Sequence, residues 1–318
     1  MIAVEAPPKP PPLLFGTARL GSVDPTGLFD GPARRTAQRV LDAVVEGGCR
    51  GLDLARSYQA GGTERVVGDW LAGSGMREEL FLVSKAGHPV PLLAPNRLRT
   101  APLEADLRAT LRALQVDRLD LFMLHRDHPD ADLAGLARFL RGIRRDGRAR
   151  LTGVSNWTFE RIEALDAAGD GAAVVQASSP QFSLAAWKAP PWQDCVTLAG
   201  RKHRYERRRY RRAGLPVLAY CPLGRGFFTP RGRRRRGPAA AFRTGPNLAR
   251  RDRCETLARE RGATPAQIAL AYLASQPFPV HPVVSTSSRK HMVDNLQGVA
   301  LPLSEDDRRW LETGGDQR

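Results

Sequence analysis

The sequence predicts an α/β chain folded as one (β/α)8 barrel over residues 13–318, preceded by a loose Pro-rich arm over residues 1–12. Three observations carry that reading. Eight short apolar runs alternate with helical patterns along the 318 residues. The runs are nearly continuous in apolar residues, as expected for parallel strands covered on both faces. No G-x-G-x-x-G follows the first run or lies in any later strand-to-helix turn, which a doubly wound dinucleotide-binding sheet would want.

Taken in order, LLFG (13–16) is the first strand, and the helical pattern 34–48 follows with Val40, Leu41, Val44 and Val45 as its apolar positions. RGLDLA (50–55) precedes a helix over 63–73. LFLVSKAG (80–87) precedes 103–114, LDLFMLHR (119–126) precedes 133–147, and RLTGVSN (150–156) precedes 159–169. AAVVQAS (172–178) is the sixth strand, followed by a long stretch that ends in a basic helix. PVLAYCPL (216–223) precedes ETLARERG and PAQIALAYLASQ, and PVVSTSS (282–288) precedes RKHMVDNLQGV. Thr63, Thr158 and Thr264 stand at helix starts, and Thr264-Pro265 reads as an N-cap with proline at the first helical position.

Composition excludes several classes. Hydrophobic residues make up 42% and charged residues 26%, the balance of a globular protein with a sizeable core. No apolar stretch is long enough to predict a membrane span. The start, MIAVEAPPKPPP, does not read as a secretory signal. Cys49, Cys195, Cys221 and Cys254 are scattered with no C-x-x-C, so no metal site is expected and reduced thiols in a cytoplasm are. The formal net charge is +16. Residues 201–253 hold 18 basic residues against Glu206 and Asp252, and the rest of the chain is balanced. The excess is therefore local, which argues against nucleic acid as the main partner, although Tyr205 and Tyr210 are interleaved with the arginines. Richness in alanine, arginine and glycine suggests a GC-rich bacterial genome, and part of the arginine content follows from that alone.

A barrel carries its active site at the carboxyl ends of its strands. Read in order, those ends offer Asp53 with Tyr58 five residues on, Lys85, His125, Ser155-Asn156, Gln176, Tyr220 and the cluster 285–288. Singly, each has a bland explanation as a cap, a solvated charge or a packed ring. Four ionisable groups at three consecutive strand ends do not. They suit proton transfer to a carbonyl oxygen. A tyrosine titrates near 10 in isolation, and a neighbouring ammonium favours its phenolate. Lys85 is placed to act so, Asp53 to hold Lys85, and His125 to orient a carbonyl. None of these groups supplies a hydride, so a cofactor is required.

The motifs GLDLARSY (51–58), GGTERVVGDWL (61–71), FLVSKAG (81–87), DRLDLFMLHRD (117–127), GVSNW (153–157), AYCPLGRGF (219–227) and SRKHMVDNL (288–296) together resemble the aldo-keto reductases over nearly the whole chain. The resemblance implies a catalytic tetrad on Asp53, Tyr58, Lys85 and His125, with Tyr58 as general acid in NADPH-dependent reduction of a small-molecule aldehyde or ketone. It also implies cofactor contacts at Gly16, Thr17 and Asp53, carboxamide contacts at Ser155, Asn156 and Gln176, and ring stacking on Tyr220. Pyrophosphate contacts fall near Cys221, Leu223, Gly226 and Arg231, and adenosine contacts on Ser287, His291 and Asn295. His291 stands where many relatives carry the arginine that selects the 2′-phosphate, so NAD(H) is kept beside NADP(H). The loop arginines Arg231 and Arg233 to Arg236 are candidate phosphate clamps. Trp157, Trp187, Trp192 and Phe227 are expected to wall the substrate pocket, with Phe182 and Phe228 beside them. A cofactor-sensing regulatory protein, like the potassium-channel β-subunit relatives, is the alternative. A monomer is the default expectation.

Overall fold

The computed structural model describes residues 8–20, 31–90, 96–169, 173–190, 194–233 and 238–315; of these, the side chains of residues 31, 32, 231, 233 and 238 are not described. Among the described residues eight parallel strands close into a barrel in sequence order. They are β1 (Leu14–Gly16), β2 (Gly51–Asp53), β3 (Phe81–Ala86), β4 (Leu119–Leu124), β5 (Ala149–Ser155), β6 (Ala177–Ser179), β7 (Val217–Tyr220) and β8 (Val280–Val284). Closure is made by β1 against β8, with Leu14 opposite Val283 and Phe15 opposite Val284. The helices around it are α1 (Gly31–Glu46), α2 (Gly62–Ser74), α3 (Thr100–Leu114), α4 (Leu133–Arg145), α5 (Phe159–Ala167), α6 (Arg204–Ala213), α7 (Gly245–Glu260), α8 (Pro265–Ala274), α9 (Arg289–Ala300) and α10 (Glu305–Thr313).

The period of two along each strand sorts side chains between two cores. Leu14, Val83, Leu121, Met123, Leu151, Leu218 and Val283 form the inner cluster. Phe15, Leu52, Leu82, Phe122, Leu124 and Val154 belong to the larger cluster shared with the helices. The same alternation continues to the strand ends. Val83 and Lys85 share one face of β3, while Ser84 points the other way and donates to Glu64 of α2 at 2.7 Å. The barrel thus carries Lys85 on its axis side and anchors α2 from its outer side.

Caps fix where the helices begin. Thr158 caps α5, and Thr264 forms a capping box with Gln267 in α8, both as the sequence predicts. Thr63 does not cap. It lies inside α2 and is buried, the N-cap being Gly61 in the left-handed region at φ 83°. Three spans differ from expectation. The sixth strand is only Ala177–Ser179 rather than 172–178. α7 begins at Gly245, nearly three helical turns before ETLARERG, with Thr244 as its cap. α10 adds a helix after the last expected one, started by a Ser304–Asp307 capping box.

Candidate active site

Lys85 and Asp53 meet at the carboxyl end of the barrel. The Lys85 Nζ donates to Asp53 Oδ1 at 2.6 Å and to the Leu54 carbonyl at 2.9 Å, and both side chains are buried. The same ammonium lies 5.3 Å from the centre of the Tyr58 ring. Tyr58 opens a short 3-10 turn, Tyr58–Gly61, in which Gln59 and Ala60 both take positive φ. His125, one residue past β4, sets its ring 5.9 Å from that of Tyr58 in an edge-on contact. The four residues named from the strand ends therefore form one cluster.

A buried carboxylate holds the tyrosine turn in place. Glu64 accepts from Ser84 Oγ at 2.7 Å, from Thr110 Oγ1 at 2.8 Å and from Arg56 Nη1 at 3.1 Å. It thereby ties α2 to β3, to α3 and to the residue two before Tyr58. Gly61 suits this place: its φ of 83° is one that side chains rarely adopt, and a Cβ on it would displace the Arg56 guanidinium that bonds Glu64.

The charge states follow from burial first. Desolvation raises the Tyr58 pKa above 10.0, against the charge of Lys85, which pulls it down. The expected depression by Lys85 is present but loses to burial, so the phenol stays protonated at neutral pH. Burial would lower the Lys85 pKa, but Asp53, with Tyr58, outweighs it, and the net shift is upward. His125 is held well below 6.5 by burial, then by the positive charges of Lys85 and Arg126. The site thus presents a neutral phenol, a charged ammonium and a neutral imidazole.

Next to this cluster lies a hydrogen-bonded chain at the ends of β5, β6 and β7. Tyr220 donates to Asn156 Oδ1 at 2.6 Å, Asn156 Nδ2 donates to Ser155 Oγ at 3.0 Å, and Ser155 donates to the Ser179 carbonyl at 3.0 Å. Asn156 has φ 59°, a left-handed conformation that asparagine tolerates better than most residues. Tyr220 is partly exposed, and its hydroxyl anchors it to Asn156. This arrangement fits a flat ring stacked on Tyr220 with an amide near Ser155 and Asn156.

Gln176 does not join that chain. It precedes β6, its amide oxygen accepts from the Thr152 N–H at 3.1 Å, and its own N–H donates to Thr152. The pairing of Ser155 with Ser179 shows why: the residue level with Ser155 is three positions beyond Gln176. Ser179 and the buried Gln181 occupy the carboxyl end instead. Both follow Gln176 in SSPQ, and only the strand register distinguishes them from it.

The other expected cofactor positions are dispersed as follows. Gly16 ends β1 and its carbonyl accepts from Ser285 at 2.7 Å. Thr17 is buried and donates to the Asp53 carbonyl at 2.9 Å. Cys221 is partly exposed at φ 52°, its thiol pushed up to about 11 by burial. Leu223 packs against the outer core, and Gly226 takes φ 91°. Ser287 and His291 are exposed beside the start of α9, and Asn295 is one turn further along its axis. Arg231 lies in a 3-10 turn, but its side chain, with those of Arg233 to Arg236, falls outside what is described.

The expected pocket walls need correction. Trp157 and Phe227 are fully buried, Phe182 likewise, and Phe228 is 2% exposed. Large apolar rings beside the barrel rim gain most by packing under the loops, and these do. Phe182 stacks near Phe278, and Phe227 packs edge-on against Phe228. Trp187 lines a cavity of about 400 Å³ with Phe159, Cys195, His203 and Tyr210, away from the tetrad. Trp192 lies outside the described residues.

The basic segment is also partly resolved into roles. Arg207 donates to the Leu198 and Gly200 carbonyls and pairs with Glu312, while Arg250 and Arg253 bind Asn247 and the Leu311 carbonyl. Arg201, Lys202, Arg204, Arg208, Arg211 and Arg212 are exposed on and before α6. No helix among the described residues is long and apolar enough to cross a membrane.

Comparison with known proteins agrees with this geometry. The model of the aldo/keto reductase family matches residues 12–312. Among curated relatives, the aldo-keto reductase yakc [NADP(+)] of Schizosaccharomyces pombe is 28% identical over 290 residues, covering 86% of this chain and 81% of that protein. Norsolorinic acid reductase of Aspergillus flavus is 24% identical, covering 95% and 76%. Among solved structures, an aldo-keto reductase of Klebsiella pneumoniae in complex with NADPH superposes with a TM-score of 0.71 at 26% identity, covering 95% of this chain and 90% of that one. With the family match running almost end to end over a closed barrel, this chain belongs to the aldo/keto reductase family.

Proposed function

We propose that the protein reduces an aldehyde or ketone to an alcohol with NADPH, Tyr58 acting as the general acid. The observation that carries this is the single ammonium of Lys85 bonded to Asp53 and set against the Tyr58 ring, beside a neutral His125. The family membership and the NADPH complex of the Klebsiella relative support the cofactor. When bound, the dihydronicotinamide supplies the hydride that the carbonyl carbon accepts. Ser155, Asn156 and Tyr220 would hold it at the rim, with Ser179 replacing the expected Gln176.

The chain's own residues handle the proton. His125, uncharged, hydrogen-bonds the carbonyl oxygen and orients it toward Tyr58. As negative charge develops on that oxygen, Tyr58 transfers its hydroxyl proton, and the alcohol leaves neutral. The resulting phenolate is stabilised by the Lys85 ammonium, which Asp53 keeps charged in a buried place. Tyr58 is then reprotonated from solvent, to which its ring is partly open. The test is NADPH oxidation followed by absorbance over aldehydes, α-dicarbonyls and keto sugars, with Tyr58→Phe as control. Turnover by the wild type that Tyr58→Phe abolishes, while NADPH binding stays, supports the mechanism. Equal turnover in both removes Tyr58 from it.

A further inference from the structure

The mouth of the tetrad carries one cation that the proton chemistry does not use. Arg126 follows His125 directly and is partly buried, with its Nη1 3.4 Å from the His125 carbonyl oxygen. The His125 ring beside it is 5.9 Å from that of Tyr58 and 4.8 Å from that of His88. Arg126 is therefore held within the same small region as the proton donor. Among the described residues it has no carboxylate partner. The adjacent acid, Asp127, is taken by Arg161 through bonds of 2.8 and 3.0 Å, and Asp53 is taken by Lys85.

The surroundings do not neutralise it either. His88 and His125 are both held uncharged, first by burial and then with the positive charge of Arg126 among the causes. The charge of Arg126 is also felt, as a minor cause, at Tyr58 and Tyr220. A partly desolvated guanidinium without a counter-charge is an unfavourable resting arrangement. It becomes favourable when the incoming molecule brings the anion, and the planar fork of arginine matches a carboxylate through two parallel bonds.

We propose that Arg126 is the specificity-determining residue of the site and that the preferred substrates are carbonyl compounds bearing a carboxylate. One guanidinium balances one carboxylate, whereas a phosphate dianion would leave a charge uncovered. The carboxylate is a spectator: the carbonyl carbon gains the hydride, its oxygen gains the Tyr58 proton, and no bond to the carboxylate changes. The proposal rests on the reductase reading above.

The test compares para-carboxybenzaldehyde with its methyl ester, using NADPH, on the wild type, Arg126→Met and Arg126→Lys. The ester is the more electron-poor aldehyde, so intrinsic reactivity works against the expected result. The wild type should favour the acid in kcat/KM by about tenfold or more, the size of one charge-assisted contact. Arg126→Met should bring the ratio to one or below, mainly through KM, and Arg126→Lys should keep an intermediate preference. A ratio that is the same in wild type and Arg126→Met, or a wild-type preference for the ester, overturns the proposal. Should Arg126→Met fail to fold, the wild type still decides: added salt must lower kcat/KM for the acid and not for the ester. Calorimetric titration of benzoate and benzamide into the NADP+ complex separates the two readings. If neither these aldehydes nor the wider carbonyl panel is reduced, the reductase reading fails, while tighter benzoate binding still supports Arg126 and equal binding overturns it.

Discussion

Replacing Asp53 by Asn tests the centre of the site. The substitution keeps the shape and an acceptor oxygen but removes the charge opposite Lys85. The ammonium then keeps the Leu54 carbonyl at 2.9 Å and no anion, in a place where its side chain is 3% exposed. Removing one partner of such a buried pair costs about 3–5 kcal/mol. Unfolding entropy scales with length, at about 0.7 kcal/mol per degree for a chain of 318 residues. The melting midpoint should therefore fall by about 4–7 °C. A matched control is Glu305→Gln, which breaks the exposed pair with Arg309 and should move the midpoint by about 1 °C or less. The pH dependence has a definite sign. The folded pKa of Lys85 lies above its ordinary 10.5, so its stabilisation is complete below 10.5 and is lost as pH rises through the folded value. The gap between wild type and Asp53→Asn should then be constant from pH 7 to about 9 and narrow only in stronger alkali. Activity should fall as well, by at least about a hundredfold in kcat, because the phenolate left by proton transfer loses its fixed cation. Differential scanning calorimetry with single-substrate kinetics measures both. A midpoint within about 1 °C of wild type, together with kcat within a factor of about three, would show that the pair supports neither the fold nor the proton transfer.

Three further outcomes follow from the same structure. Burial raises the Glu64 pKa despite Ser84, Thr110 and Arg56, so its stabilising contribution is complete below 4.5 and declines as pH rises through the folded value. Glu64→Gln, which resembles the protonated acid, should melt at or above wild type at pH 7, whereas Glu64→Ala should melt about 4–7 °C lower by stranding three donors. Equal losses in both variants would contradict this. With His125 titrating well below 6.5 and Tyr58 above 10.0, kcat/KM should be flat from about pH 6.5 to 9, and a step centred near 6.5 would show that His125 must be neutralised during the assay range. Gly68 lies where α2 crosses α3, and a Cβ there would sit 2.1 Å from the Ala113 carbonyl oxygen. Gly68→Ala should cost about 1–3 kcal/mol in denaturant unfolding despite its better helix propensity. A gain in stability would mean that the two helices can separate freely.

What the sequence discloses of this site depends on what each residue needs in order to be placed. Asp53, Lys85 and His125 are legible because the strands of a parallel barrel are mainly apolar, so an ionisable side chain that closes such a run marks the rim, whereas Asp120 near the start of β4 does not. Tyr58 is legible only through them. Gln176 is misread for the same reason that the others succeed: it is the first polar residue to interrupt an apolar run, but the strand is only Ala177–Ser179 and begins after it. Counting residues cannot detect a three-residue displacement, whereas the register of Ser155 against Ser179 does. The aromatic pocket walls fail on a different ground. Trp157 and Phe227 sit at plausible loop positions, yet sequence proximity to a rim does not say whether a ring faces the opening or the core, and apolar area favours the core. α10 had a readable signal in Ser304 and Asp307, three apart before an apolar position. Arg126 had none. In the string it is one arginine among many, beside an aspartate that looks like its partner. Its proposed meaning comes from Arg161, 34 residues away from Asp127, which takes that carboxylate and leaves Arg126 without a carboxylate partner among the described residues. A charge acquires a function from what the fold denies it, and that is information carried by contacts between distant segments rather than by any local pattern.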